Sequence, residues 1–141
     1  MNNTETPMEI RAVLDCSALQ SYARGHVHVG ELLVDVADEG AYFGIPAAAL
    51  TEAYAAAQDD RHEAALIYLF TTLVGTTVLD LDSETASDMA GTLLLTDKDM
   101  SRAHAVWAAH KYQALYLTTE PSEVVSLVPA DQIHKIPAED A

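Results

Sequence analysis

IRAVLDCSAL, residues 10–19, sets the fold. A short apolar run stops at Asp15 and Ser17 and passes at once into helical spacing, the pattern of a buried strand that feeds a helix. Downstream, VGELLVDVADEG (29–40) spaces Leu32, Leu33, Val36 and Ala37 at helical intervals and stops at Gly40. A short extended piece follows at Tyr42 to Ile45, and Pro46 opens the helix PAAALTEAYAAA (46–57). Acids start the next helix, DDRHEAALIYLFTTLVG (59–75), whose apolar residues recur at three and four.

Beyond Gly75, TTVLDL (76–81) reads as a second buried strand, and Asp82 with Ser83 caps one helix, ETASDMAGTLLL (84–95). A polar break at Thr96 to Asp99 precedes a helix through AHAVWAAHKY (103–112). ALYLT (114–118) supplies another strand, Glu120 and Pro121 start a short final helix, and QIHKI (132–136) is a last strand. Strands alternating with helices predict an α/β fold: a three-layer α/β/α sandwich around a mainly parallel sheet. Ligands of such sheets gather beyond the carboxyl ends of the strands, where Asp15 and Glu120 fall.

The 141 residues, half of them hydrophobic, suit one domain over residues 10–137, with flexible ends at 1–9 and 138–141. No apolar stretch reaches the roughly 20 residues that span a bilayer, so no membrane partner is expected. A single cysteine, Cys16, and a start without a basic, apolar leader predict a cytoplasmic protein. The formal net charge of −15 argues against a preformed surface for nucleic acid. Bound divalent cations or a basic partner protein would relieve that charge. Cys16 lacks a nearby His with an orienting partner, and His26 with His28 lack the further ligands of a zinc site. Phosphate-loop, dinucleotide and nucleophile-elbow motifs are absent.

Four acids stand in short contexts that fit one another: AVLDCSAL at Asp15, ALTEAYA at Glu52, DMSRAHAVWAA at Asp99 and YLTTEP at Glu120. Three of them have a plainer reading. Asp15 and Asp99 stand where helix N-caps belong, and Glu52 alone reads as a surface helix residue. In their joint order, from Ala12 to about Val124, the contexts resemble PIN domains, nearest in size to the VapC-type toxins of bacterial toxin–antitoxin pairs. The resemblance implies a metal-dependent endoribonuclease acting on RNA, commonly a homodimer, held inactive by a small antitoxin protein. It implies Mg2+ or Mn2+ held by Asp15, Glu52, Asp99 and Glu120, since hard cations prefer carboxylate oxygen. Ser17, Arg102 and Thr119 would then face the substrate. Arg102 stands where the family places a further acid, so the same resemblance implies a weakened or lost metal site; a catalytically inactive RNA- or protein-binding module is the alternative.

Overall fold

The computed structural model of the chain describes residues 8–137. Of the flexible ends expected at 1–9 and 138–141, residues 1–7 and 138–141 lie outside the described residues, while Glu9 is held by a hydrogen bond from Tyr42 N to its carbonyl. The elements run β1 (Ile10–Leu14), α1 (Cys16–Ala23), α2 (His28–Asp38), β2 (Tyr42–Pro46), α3 (Ala47–Ala56), α4 (Arg61–Thr72) and β3 (Thr76–Leu79). There follow α5 (Ser83–Asp88), α6 (Ala90–Leu95), α7 (Met100–Tyr112), β4 (Leu115–Thr118) and β5 (Ile133–Lys135). Aspartates start four of the helices: Asp15, Asp60, Asp82 and Asp99 each accept a hydrogen bond from a first-turn backbone N–H. Each satisfies a donor that the helix itself cannot.

The five strands form one all-parallel sheet in the order β3-β2-β1-β4-β5. Helices cover both faces, giving the three-layer α/β/α sandwich read from the sequence. Ala12, Leu14, Phe43, Ile45 and Leu117 point to a core shared with Leu19, Leu33, Ala53, Ile67 and Phe70 of α1 to α4. Val13 and Tyr116 point the other way, against Ala105, Val106, Ala108 and Ala109 of α7. Ile10 shares the Val13 face although three positions separate them, because the pairing with β2 shifts register between Ile10 and Ala12. One extra residue reverses the alternation of side chains.

Three details depart from the sequence reading. β3 is an edge strand rather than a buried one: Thr76 and Thr77 are half-buried and Val78 is 37% exposed. Residues 84–95 form two helices, not one, bent at Met89, whose side chain is buried while Gly91 weakens helical preference just beyond. The short helix after Glu120 is only a single 3-10 turn, Pro121–Glu123. Among the described residues no helix is long and apolar enough to cross a membrane.

The chain leaves β1 towards β2 and β3, then returns to place β4 on the other side of β1. The strand order therefore reverses between β1 and β4, and a crevice opens beyond their carboxyl ends.

Candidate functional site

A pocket of about 250 Å³ occupies that crevice, lined by residues that include Asp15, Glu52, Asp99, Arg102, Tyr116 and Glu120. Asp15 follows β1, Glu120 follows β4, Glu52 comes from α3, and Asp99 and Arg102 from the start of α7. The fold thus brings the four predicted acids to one pocket from distant parts of the chain. Asp15 is buried and lies deep, whereas Glu52 and Glu120 are exposed at the rim. A larger hollow of about 380 Å³ near Trp107 and Lys111 beside β3 collects none of these acids.

Two of the acids are also caps. Asp15 Oδ1 accepts from Ala18 N at 3.0 Å, and Asp99 Oδ1 accepts from Arg102 N at 3.0 Å. Asp99 reaches its place because Asp97 and Lys98 adopt left-handed backbone angles, φ 54° and 62°, that reverse the chain just before α7. Such angles are unfavourable outside glycine and need support from the surrounding fold.

Ser17 binds the two sides of the crevice together. Its hydroxyl donates to Asp15 Oδ1 at 2.6 Å and accepts from Thr119 N at 2.9 Å. It also lies 3.2 Å from Thr118 Oγ1, which accepts from Glu120 N at 2.9 Å. Thr119 thus takes part through its backbone, and the buried hydroxyl in the network belongs to Thr118, a residue the motif did not single out. Gln20, Ser101 and Tyr116 also line the pocket without having been predicted. Strand alternation could have placed Tyr116 on the face opposite Leu117, and a helical step of three from Ser17 reaches Gln20.

Arg102 sits among the acids. Its guanidinium lies 3.9 Å from Asp99, 3.8 Å from Glu120 and 3.8 Å from Glu123. These are ion pairs without hydrogen-bond contact, partly open to solvent and worth at most about 1 kcal/mol each. Burial pulls the Arg102 pKa down, but Tyr116, Asp99, Glu123 and Asp15 outweigh it and raise it overall, so the group stays charged. Beside it the Tyr116 side chain is fully buried, its hydroxyl between Asp15 and Arg102, which both act on it without meeting it in full hydrogen-bond geometry. Burial, then the Asp15 carboxylate, pushes the phenol pKa well up and keeps it neutral. Burial followed by Glu52 and Asp15 pushes the Cys16 thiol up to about 12, which leaves it a protonated, poor nucleophile.

The carboxylates are the right donors for a hard divalent cation, but they do not converge as one. Among the described residues no group of three or more His, Cys, Asp or Glu side chains is arranged to hold a metal ion. A fixed cation already stands between Asp99 and Glu120. With Arg102 in place the arrangement does not fit bound Mg2+ or Mn2+. No protein-family profile matches the chain, and no curated protein matches it significantly in sequence.

Proposed function

We propose that this chain is a PIN-like domain, similar to the VapC-type endoribonuclease toxins, whose metal-dependent cleavage of RNA is weakened because Arg102 stands in place of an acid. The observation that carries this reading is the position of the Arg102 guanidinium, within 3.9 Å of Asp99, Glu120 and Glu123. A fixed positive charge there neutralises carboxylates and repels an incoming divalent ion. At 4 Å and an effective dielectric of about 20, two unit charges interact by roughly 4 kcal/mol, and a divalent ion doubles that repulsion. Solvent at the pocket mouth lowers the figure, but a small fraction of it is enough to weaken metal affinity tenfold. The pocket at the β1/β4 crossover and the family order of Asp15, Glu52, Asp99 and Glu120 support the same reading.

The charge around Arg102 favours a second reading, an inactive module in the cytoplasm that binds a basic protein such as an antitoxin. Four carboxylates line the pocket against one guanidinium, and the whole chain carries a formal −15. A second copy of the chain is the partner suited to the apolar surface at Leu94 and Leu95, each 70% exposed.

Cleavage of a mixed RNA pool with Mn2+ tests both readings, using the natural chain, Arg102→Asp and Asp15→Asn. The nuclease reading expects weak cleavage by the natural chain, a marked gain in Arg102→Asp and loss in Asp15→Asn. Activity in none of the three rejects it and leaves the binding module.

A further inference from the structure

The edge of the sheet at β3 is unguarded. From Ala64 to Leu79 the chain carries no charged residue, although its formal net charge is −15. Natural edge strands are blunted by charges, proline or bulges, whereas β3 reads TTVL and pairs with β2 in unbroken register. Phe43 N donates to Gly75 O, so alternation turns the backbone of Thr77 and Leu79 towards β2 and that of Thr76 and Val78 outwards. Thr76 N turns back to Leu73 O. Val78 is therefore the residue of β3 whose N–H and C=O both face outwards with no backbone partner among the described residues.

Apolar relief flanks this strand at both ends. Four residues before Val78, Val74 is 87% exposed, the highest figure for a large apolar side chain among the described residues. Three residues after it, Leu81 lines a hollow of about 210 Å³ with Ala86, Met89, Ala90, Leu93 and Met100. That hollow has no charged lining and falls below the roughly 300 Å³ at which small-molecule sites begin, so it suits an aliphatic side chain. A knob and a hole thus stand at matching distances from Val78 on one edge, an arrangement that a two-fold axis pairs reciprocally.

We propose that a second copy of this chain docks here, the two β3 strands pairing antiparallel about a two-fold axis at Val78 and joining two five-stranded sheets into one. Each Val78 N donates to the Val78 carbonyl of the other copy, and each Val74 enters the other copy's hollow beside Leu81. Charge selects this occupant: the 16 uncharged residues let two chains of −15 approach, where a basic partner would be drawn to acids instead. Asp80 of each copy then lies opposite Thr76 of the other. The two Asp80 residues stand four positions apart, about 13 Å, beyond the Debye length of about 8 Å at physiological salt. A standard interface takes roughly 10% of a small protein's surface, about 800 Å² of the 8023 Å² here, so the strand edge is joined by the end of α4 and by Leu94 and Leu95 of α6. This rests on the second-copy reading of those leucines and gives that dimer its axis.

The test is sedimentation velocity of the full chain across a wide range of concentration. A monomer–dimer equilibrium is expected that tightens as salt rises, because association works against two like net charges. Val74→Asp, at an exposed site, buries an unpaired carboxylate in the hollow, and Ala90→Phe fills that hollow from its own chain; each is expected to weaken the dimer at least about tenfold. Val125→Asp, exposed after β4 in the opposite half of the sheet, is expected to leave it unchanged. Under mild oxidation Val78→Cys is expected to cross-link two chains where the natural protein does not, since a hydrogen-bonded antiparallel pair sets its Cα atoms about 5.5 Å apart, within disulfide range. A chain that stays monomeric at every concentration overturns this interface and the second-copy reading together. A dimer that keeps its affinity in Val74→Asp and Ala90→Phe, and fails to cross-link through Val78→Cys, overturns the β3 edge alone and moves the second copy to another face.

Discussion

Removal of the Ser17 hydroxyl tests whether the crevice is held together as described. The oxygen makes a 2.6 Å bond to the Asp15 carboxylate and receives a 2.9 Å bond from Thr119 N, a residue 102 positions away. A hydrogen bond to a charged group contributes about 1.5–3 kcal/mol and a neutral one about 1. Both are only partly buried, so the expected loss in Ser17→Ala is about 2–3 kcal/mol. At about 3 °C per kcal/mol for a domain of this size, the melting temperature falls by roughly 6–9 °C. Scanning calorimetry measures this, with Ser17→Thr as the companion variant that keeps the hydroxyl. The reasoning fails if Ser17→Ala costs under about 0.5 kcal/mol, or if Ser17→Thr loses as much, since the hydroxyl would then not be the bond between the two sides.

Other substitutions probe neighbouring claims. Tyr116→Phe deletes a buried hydroxyl that faces Asp15 and Arg102 without full hydrogen-bond geometry, so it is expected to leave stability unchanged or raise it by about 1 kcal/mol in urea unfolding; a loss of that size would show that one of the two is a true partner. His104 is fully buried, its Nδ1 accepts from Ala48 N at 3.2 Å, and burial lowers its pKa from 6.5. As pH falls the unfolded chain takes up this proton first, so the contribution is full above 6.5 and lost as pH drops from there through the folded value. His104→Asn keeps an acceptor for Ala48 and is expected to flatten this part of the stability profile between pH about 7.5 and about 5.5; an unchanged slope would assign the effect elsewhere. Gly75 has φ +93°, and a Cβ there would come within 2.8 Å of Ala37 Cβ. Gly75→Ala is therefore expected to cost about 2 kcal/mol or more in chemical unfolding, and a neutral result would mean that α2 gives way freely.

Much of this architecture was legible because its punctuation is chemical. Asp15, Asp60, Asp82 and Asp99 start helices where a side-chain acceptor is needed, and Gly40 ends one in a left-handed turn. The convergence of Asp15 and Glu120 was legible too, since both follow strands of a parallel sheet. Sequence spacing does not say which strand lies at an edge, so TTVLDL looked as buried as IRAVL although its paired threonines suit a half-solvated edge. Nor does it say where a long side chain ends. Arg102 could have swung out to solvent, and only its three neighbours on the α7 side decide that it stays. The buried setting of the Tyr116 hydroxyl depends on the packing of β4 against α7, which no local pattern encodes.

The distance in sequence between the two sides of the crevice also governs when it exists. Asp15 and Ser17 emerge early in synthesis, while Tyr116 to Glu120 emerge after α7, so a nascent chain that stops before residue 115 has an open β1 edge and no pocket. Pairing over such a separation pays a large loop-closure entropy and comes late in folding. Local opening of the β4–β5 segment would dissolve the pocket while the core beneath α1 to α4 stayed largely packed. Whatever the pocket binds therefore reports on the docking of the last strands, and its ligand would slow the release of that segment more than any other part of the chain.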